Sequence, residues 1–335
     1  MNNKRILIDV QMEPTIGSRF QPTGFPDLGH AEFDRPKRDG GTERCLLVES
    51  AQSMANHLEG TAWDDASNAP VGVVGGLPFV RVVRQGTGEF ITSSRTEAHR
   101  LASAFIKEST IDGKPVIDFI GSQLGLVVDT PLDHRLIARE VFRLDPFALL
   151  HGVFFADKKW PGQPKIARVV SAFIEAIDVQ RADSGGVKKD HVRHAIEEGS
   201  SGSSEGYGTV PFARTEWTAR QIVASFSVDL KQIQSYSLGP EASDLLQSIA
   251  LWEIRSLLEG GLRLRTACDL SLVDDEIRDR SGQVLPSFDE LQTRVTDGVA
   301  AVSGLLNGAS VLDVVWNGGK KAKTGKAATN EEAQD

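Results

Sequence analysis

An α+β fold carrying long insertions is what this chain predicts, on three observations. Runs rich in β-branched and aromatic residues alternate with amphipathic helical runs, in the order strand, helix, strand, helix, several strands, helix, strand. Two polar segments rich in Pro, Gly or Ser break into that order. Hydrophobic residues make up 40% of the 335, enough for a real core. The length fits one large domain or one domain with sizeable insertions, and no internal repeat is found.

Each element has a local reason. Arg5–Gln11 (RILIDVQ) is apolar and β-branched and stops before Pro14, so it predicts a strand. Thr15–Gly41 follows as a long connection holding Pro22, Gly24, Pro26, Gly29 and Pro36, together with Arg19, Arg35, Lys37 and Arg38. Loops that long inside a domain are functional or disordered. Cys45–Leu58 predicts a helix, because Leu47, Ala51, Met54, Ala55 and Leu58 recur at helical spacing. Phe79–Val83 predicts a short strand. Thr92–Lys107 predicts a helix capped by Ser93 or Ser94, with Glu97 near its third position. His134–Phe142 predicts a short helix ending before Pro146.

The second half changes rhythm. Lys165–Val179 and Gln221–Leu230 predict strands, and between them Glu197–Gly208 (EEGSSGSSEGYG) reads as a flexible linker. Ala242–Leu258 is the clearest helix, closed by Gly260-Gly261. Leu262–Leu270 predicts a strand with Leu262 and Leu264 on one face and Arg263 and Arg265 on the other. From Asn317 the chain is polar and poor in apolar residues, which predicts a disordered tail over 317–335 after a single domain over 1–316.

Bulk properties narrow the function. Lys and Arg number 37 against 46 Asp and Glu, a net charge of -9. That balance lowers the expectation of a generic nucleic-acid binder, but a narrow groove needs only a local basic stripe. No run approaches the roughly 18 unbroken apolar residues of a membrane span. The opening MNNKRILIDVQMEP lacks the apolar region and cleavage site of a signal peptide. A cytoplasmic protein that does not enter the membrane is expected. Cys45 and Cys268 stand far apart with no CxxC, so two buried free thiols are expected rather than a disulfide or zinc site. GVVGG at Gly72–Gly76 is not GxGxxG, and GGKKAKTGK near the end lacks Walker spacing. No cofactor and no metal are expected.

Two stretches carry chemistry. In Arg19–Gly29 (RFQPTGFPDLG), Arg19 suits a phosphate, Phe20 and Phe25 suit stacking on bases, and Gln21 and Thr23 suit hydrogen bonds, while Pro22, Gly24 and Pro26 fix the backbone. The alternative is a Pro/Gly loop whose two rings pack on the core. In Glu49–Asn56 (ESAQSMAN), Ser50, Gln52, Ser53 and Asn56 offer short polar groups suited to a sugar–phosphate backbone, or simply a solvated helix face. Arg95, His99 and Arg100 near the start of the predicted 92–107 helix suit phosphate binding or a solvated end. Arg263 and Arg265 suit a basic sheet face or outer-strand salt bridges. His191 and His194 lack a nearby third ligand, and Lys188, Lys189 and Arg193 around them repel cations.

The strings RFQPTGFPDLG, LLVESAQSMANHLEG, SSRTEAHRLASAF, LDPFALLHGVFFAD and SLGPEASDLLQSIALWEIRSLLEGGLRLRTACDL occur in that order over most of the chain. In them the chain resembles the backbone RAMP-superfamily subunit of type I-U/I-G CRISPR Cascade surveillance complexes. The resemblance implies an RRM-like (ferredoxin-like) antiparallel sheet with helices on one face and large loop insertions. Insertions near 15–44 and 181–216 become candidate thumb or finger loops. It also implies a non-catalytic subunit that polymerises along the crRNA guide. Its partners would be that guide, target DNA through guide pairing, further copies of itself, and other Cascade subunits: a large subunit and an RNA-end-binding, guide-processing subunit. The expected RNA contacts are Arg19, Phe20, Gln21, Pro22, Thr23, Phe25, Arg35, Lys37, Ser50, Gln52, Ser53, Asn56, Arg95, His99 and Arg100. Two rivals remain at this point. One is a metal-dependent ribonuclease cutting target RNA as type III backbone relatives do, using Asp27 or Asp34. The other is a sequence-nonspecific RNA chaperone.

Overall fold

The structure, a computed structural model, describes residues 4–25, 29–192, 208–306, 308 and 310–318. The expected linker falls almost entirely outside the described residues, as does the expected tail from 319 onward.

The main elements are β1 (Arg5–Pro14), β2 (Glu32–Pro36), β3 (Thr42–Glu49), α1 (Ala51–Gly60), β4 (Val80–Arg84), β5 (Phe90–Ser93), α2 (Val116–Gln123), α3 (His134–Leu144), β6 (Val170–Lys188), β7 (Val210–Asp229), α4 (Pro240–Glu259), β8 (Leu262–Arg265), β9 (Cys268–Leu272), α5 (Phe288–Ala301) and β10 (Leu312–Trp316). The chain divides into two compact units. The first holds residues up to Gly76, Leu149–Gly152 and Ala167–Leu305, and the second holds Leu77–Ala148, Val153–Ile166 and the residues from Leu306.

A seven-stranded sheet in the order β8-β9-β1-β7-β6-β3-β2 organises the first unit. Every pairing in it is antiparallel. Strand side chains alternate between faces with a period of two, and the sequence obeys that period. Ile8, Val10 and Met12 of β1, Ala172, Ile174 and Ala176 of β6, and Ile222, Ala224, Phe226 and Val228 of β7 are all buried. Helix α1 packs on β6, and α4 packs on β7 and β9 and touches α1. Helix α4 starts with Pro240 in its first turn, where the missing N–H costs nothing, and buries Leu245, Leu246, Ile249, Trp252 and Leu258. It also carries Glu253, whose buried carboxylate meets Nε2 of the equally buried His151 at 3.0 Å.

The second unit has a five-stranded sheet in which β10 and β4 run parallel, from Leu312 opposite Val80 to Trp316 opposite Arg84. Its centre holds a charge. Arg95 pairs with Asp145 at 2.7 Å, donates to the Pro78 carbonyl at 3.2 Å and lies 3.6 Å over the Phe147 ring.

The α+β expectation matches this mixture of antiparallel sheets and helices, and the structure corrects four local readings. The segment Cys45–Glu49 is strand, not helix, because Cys45, Leu46 and Leu47 pair with β6 in register; α1 begins only after Ser50, which caps it. Long-range pairing there outweighs local periodicity. Thr92–Lys107 is a strand end, a turn and two short helices. Its polar side chains bond locally instead of leaving the backbone to a helix. Thr96 Oγ1 takes up the Ser93 N–H, and Glu97 accepts from Thr92 and Ser103. Leu262–Leu270 is the hairpin of β8 and β9, turned at Ala267 with φ 60°. The strands expected at 165–179 and 221–230 are parts of one much longer hairpin, β6 and β7.

Candidate nucleic-acid interface

The β6–β7 hairpin leaves its sheet. Up to Ile177 and Gln221 its strands are flanked by β1 and β3; the ladder then skips Asp178 and Arg220, with Asp178 in the left-handed region at φ 56°. From Val179–Ala219 to Lys188–Val210 the two strands pair with each other, and among the described residues the one further bridge to them is Phe20 with Trp217. These ten rungs make an arm about 33 Å long at the usual rise per residue. Its outer residues include Arg181, Val187, Lys188, Phe212 and Arg214. The Arg214 guanidinium stands 4.8 Å over the Phe212 ring, and that ring lies where a Cβ on Gly186 would meet it at 3.0 Å.

Trp217 fixes the root of the arm. Its indole N–H donates to His30 Nδ1 at 2.8 Å, and the two rings meet edge to face. Its backbone exchanges two 2.9 Å hydrogen bonds with Phe20. The loop after β1 is thereby stitched to the arm. The same loop is stitched to the β8–β9 turn, where the Gln21 N–H donates to the Ala267 carbonyl at 2.8 Å and the Thr15 N–H to the Asp269 carbonyl at 2.9 Å. Arg265 completes the seam by donating to the Gln21 and Val48 carbonyls and pairing with the buried carboxylate of Glu49. Burial holds the Arg265 pKa below its ordinary value, and burial pushes the neighbouring Cys268 thiol up to about 11.

Between loop, turn and arm runs a groove of about 500 Å³, lined among others by Ile16, Ser18, Arg19, Glu216, Arg263 and Arg265. Arg19 is half exposed, 3.6 Å from Glu216. The lining sets Arg19, Arg263 and Arg265 against Glu216 and Asp269, and since Arg265 is already paired with Glu49, Arg19 and Arg263 are the guanidinium groups of the lining not clamped by a buried carboxylate. Such a groove offers charge to phosphates and polar backbone edges to sugars.

The expected contact residues fall into separate environments. Arg19 is exposed in the groove. Phe20 is fully buried at 0% and offers no face to a base. Gln21 and Thr23 are half-buried and engage through their backbones, and Pro22 is buried. Phe25 belongs to a two-residue strand paired with Gly29–His30. Arg35 pairs across the β2–β3 hairpin with Glu43 at 2.7 Å, and Arg220 reaches the same carboxylate at 3.1 Å. The Arg35 hydrogen bond holds the Glu43 pKa below its ordinary value. Lys37 is exposed in the turn of that hairpin. Ser50 is occupied as the cap of α1, accepting from the Ser53 N–H at 3.3 Å, and Ser53 is half-buried. Gln52 and Asn56 are exposed one turn apart.

Arg95, His99 and Arg100 belong to the second unit. His99 is exposed, but Arg95 and Arg100 are each only 6% exposed. Arg95 is a buried strut whose charge is spent on Asp145, so the phosphate role expected of it does not fit.

Trp217, Arg214 and Arg220 were not singled out from the sequence. Their signal was the alternation of aromatic, basic and small residues in Phe212–Arg220, which continues the strand signal backward from Gln221. Asp27 and His194 lie outside the described residues. Asp34 is exposed on β2 opposite Arg44. Among the described residues no cluster of three or more His, Cys, Asp or Glu is placed to hold a metal ion, and both cysteines are free and buried. No helix among them is long and apolar enough to cross a membrane.

A family described as "CRISPR-associated protein GSU0053" matches residues 6–181, just over half of the chain. A solved chain titled "CRISPR RNA-guided surveillance complex, pre-nicking" is 13% identical and aligns over 76% of this chain and 68% of its own length, with a TM-score of 0.34. That likeness is too slight to carry the fold. No curated protein matches the sequence.

Proposed function

This chain belongs to the CRISPR-associated GSU0053 family, and from that premise we propose that it is the guide-RNA-binding backbone subunit of a Cascade-type effector complex. The observation that carries the reading is the arginine-lined groove at the root of a two-stranded arm. RNA gripped along its backbone needs charge and polar edges in a track, with a projection to break its stacking. The groove supplies the first and the arm the second, so the arm takes the part of the thumb.

The strand order supports an RRM-like core. The four strands β9-β1-β7-β6 are adjacent and antiparallel, with α1 between β1 and β6 and α4 between β7 and β9 in the chain. That is the βαββαβ order in which two crossovers leave both helices on one face. The β2–β3 and β8 strands and the second unit are then decorations.

In this mechanism Arg19 and Arg263 neutralise guide phosphates, Arg265 holds the groove wall through Glu49 and the Gln21 and Val48 carbonyls, and Gln52 and Asn56 add short polar contacts. The protein reads the backbone, while the exposed guide bases read the target DNA by pairing. One copy covers only a few nucleotides, so further copies, a large subunit and a guide-processing subunit complete a cytoplasmic assembly. No step is catalytic.

Co-purification tests the reading. The full chain, expressed with its neighbouring subunits and a guide array, should bring down a small RNA of one defined length. Heterogeneous RNA, or none, would overturn it. Incubation with complementary RNA and Mg²⁺ should leave that RNA whole. Cuts at a regular interval that disappear in Asp34→Ala would overturn the non-catalytic part.

A further inference from the structure

Glu216 does not fit a groove built to attract phosphate. It sits on β7 inside the lining, its side chain only 9% exposed. One carboxylate oxygen lies 3.6 Å from Arg19 Nη1, and the other lies 3.9 Å from Arg214 Nη1. Both distances exceed the 2.7–2.9 Å of a charge-assisted hydrogen bond. Compare Arg265, which is clamped by a carboxylate and two carbonyls. Arg19 is half exposed and held by attraction alone.

From this geometry we infer that Glu216 is a resident competitor for the groove, a carboxylate occupying the place between Arg19 and Arg214 that an RNA phosphate takes, and that it sets the affinity of the site downward. The inference rests on the groove being the RNA site proposed above. A phosphate and a carboxylate present similar oxygen acceptors to a guanidinium. A weakly engaged carboxylate leaves Arg19 free to exchange one for the other. It also holds the two arginines near each other when no RNA is present. The consequence is selectivity by multiplicity. A single loose RNA must displace Glu216 at each subunit, and only a ligand that makes many contacts at once offsets that repeated cost.

The test uses the full-length chain and a 20-nucleotide oligouridylate followed by fluorescence anisotropy. Glu216→Gln keeps the shape and removes the charge. It should tighten binding roughly three- to fivefold at low salt, the range of a partly exposed charge pair. The gain should fade at high salt, since it is electrostatic, and should vanish in the Arg19→Ala background. A purely structural role would not give that salt dependence. Unchanged or weaker binding by Glu216→Gln, with thermal unfolding as in the parent, overturns the inference; Glu216→Ala repeats the test should the glutamine variant unfold early. Arg19→Ala separates the two readings. If it weakens binding while Glu216→Gln does not tighten it, only the competitor role falls. If Arg19→Ala changes nothing, the groove is not the RNA site and both fall.

Discussion

The β6–β7 hairpin is two different objects along one pair of strands. From Ala172 to Ile177 and from Ile222 to Val228 it is the middle of a seven-stranded sheet, and its alternate residues are buried. From Val179 to Lys188 and from Val210 to Ala219 it is a ribbon that, apart from the Phe20–Trp217 bridge, pairs with itself, and only Val179, Glu216 and Trp217 in it are buried. The root obeys the hydrophobic alternation that a buried sheet face enforces. The arm carries Arg181, Arg214, Phe212 and two adjacent glycines, a composition that no core would select. A two-stranded ribbon is marginal in water by itself. Its persistence here depends on the root, on Trp217 and on the Phe212 ring over Gly186. Stability is concentrated in one half of the hairpin.

The sharpest way to break that contrast is to truncate one phenylalanine in each half. Phe226→Ala in the root removes a ring that is 2% exposed, and should cost about 3–5 kcal/mol. Phe212→Ala in the arm removes one that is 46% exposed, and should fall within about 0.5 kcal/mol. Urea unfolding of both variants reads the difference. Equal losses would mean that the arm is part of the folding core.

The seam between loop, turn and arm comes next in size. Arg265→Ala leaves the Glu49 carboxylate buried without its partner and takes a donor from the Gln21 and Val48 carbonyls, of which Val48 keeps the Thr23 N–H. The full cost of breaking a buried pair is discounted here because the Arg265 side chain is a quarter exposed. A loss of about 2–3 kcal/mol follows, again by urea unfolding. A loss comparable with a surface substitution would show that the loop does not depend on the turn.

How much of this was legible in the sequence follows the same division. Helix α4 spans Pro240–Glu259 where Ala242–Leu258 was expected, because one long amphipathic run with Pro at its start and Gly at its end leaves few alternatives. Helix α3 and strands β1 and β4 were legible for the same reason, each being periodic over its own length. Strand β3 was not, since Cys45–Leu47 looks helical until β6 is laid beside it. For Phe20 the sequence leaves two readings open, stacking on a base or packing on the core, and the structure has the second. The Phe20 backbone is bridged to Trp217, nearly 200 residues away, and no local pattern encodes that bridge. Arg95 suits a phosphate or a solvated end because the sequence places it at a helix start, and only Asp145 and Phe147 explain why it is inside. Of the groove, the sequence points to Arg19, Arg263 and Arg265 but not to Glu216, since an acid inside a basic site has no sequence signature.

RNA affinity gives a smaller effect, about 1 kcal/mol. Arg19→Ala should weaken oligouridylate binding by roughly the worth of one partly exposed charge contact, about fivefold, and lower the salt slope by about 0.7. Arg181→Ala, out on the arm and already paired with Asp183, should change affinity less. An effect of Arg181→Ala larger than that of Arg19→Ala would move the principal grip from the root to the arm.

The smallest effect tests the anchor at the root of the arm. His30 accepts the Trp217 indole N–H at Nδ1, which requires that nitrogen to be unprotonated. Around the ring stand Glu32, Arg181 and Trp217, with Arg44 over the indole. Burial, the largest cause, lowers the His30 pKa from its ordinary 6.5; Glu32 opposes the shift and Arg181 adds to it. In the window between the depressed folded value and 6.5 the unfolded chain binds the proton more readily than the folded one. Stability from this contact is therefore complete above 6.5 and is lost as the pH falls through the window. His30→Gln keeps an acceptor and removes the titration. The difference in thermal midpoint between the parent and this variant should shrink below about pH 6.5 and stay level above it. Comparing the two chains cancels His57, whose pKa burial lowers in the same direction. A difference that is flat from pH 5 to 8 would mean that the indole contact does not hold the loop, and that the root of the arm is anchored by the Phe20–Trp217 backbone bridge alone.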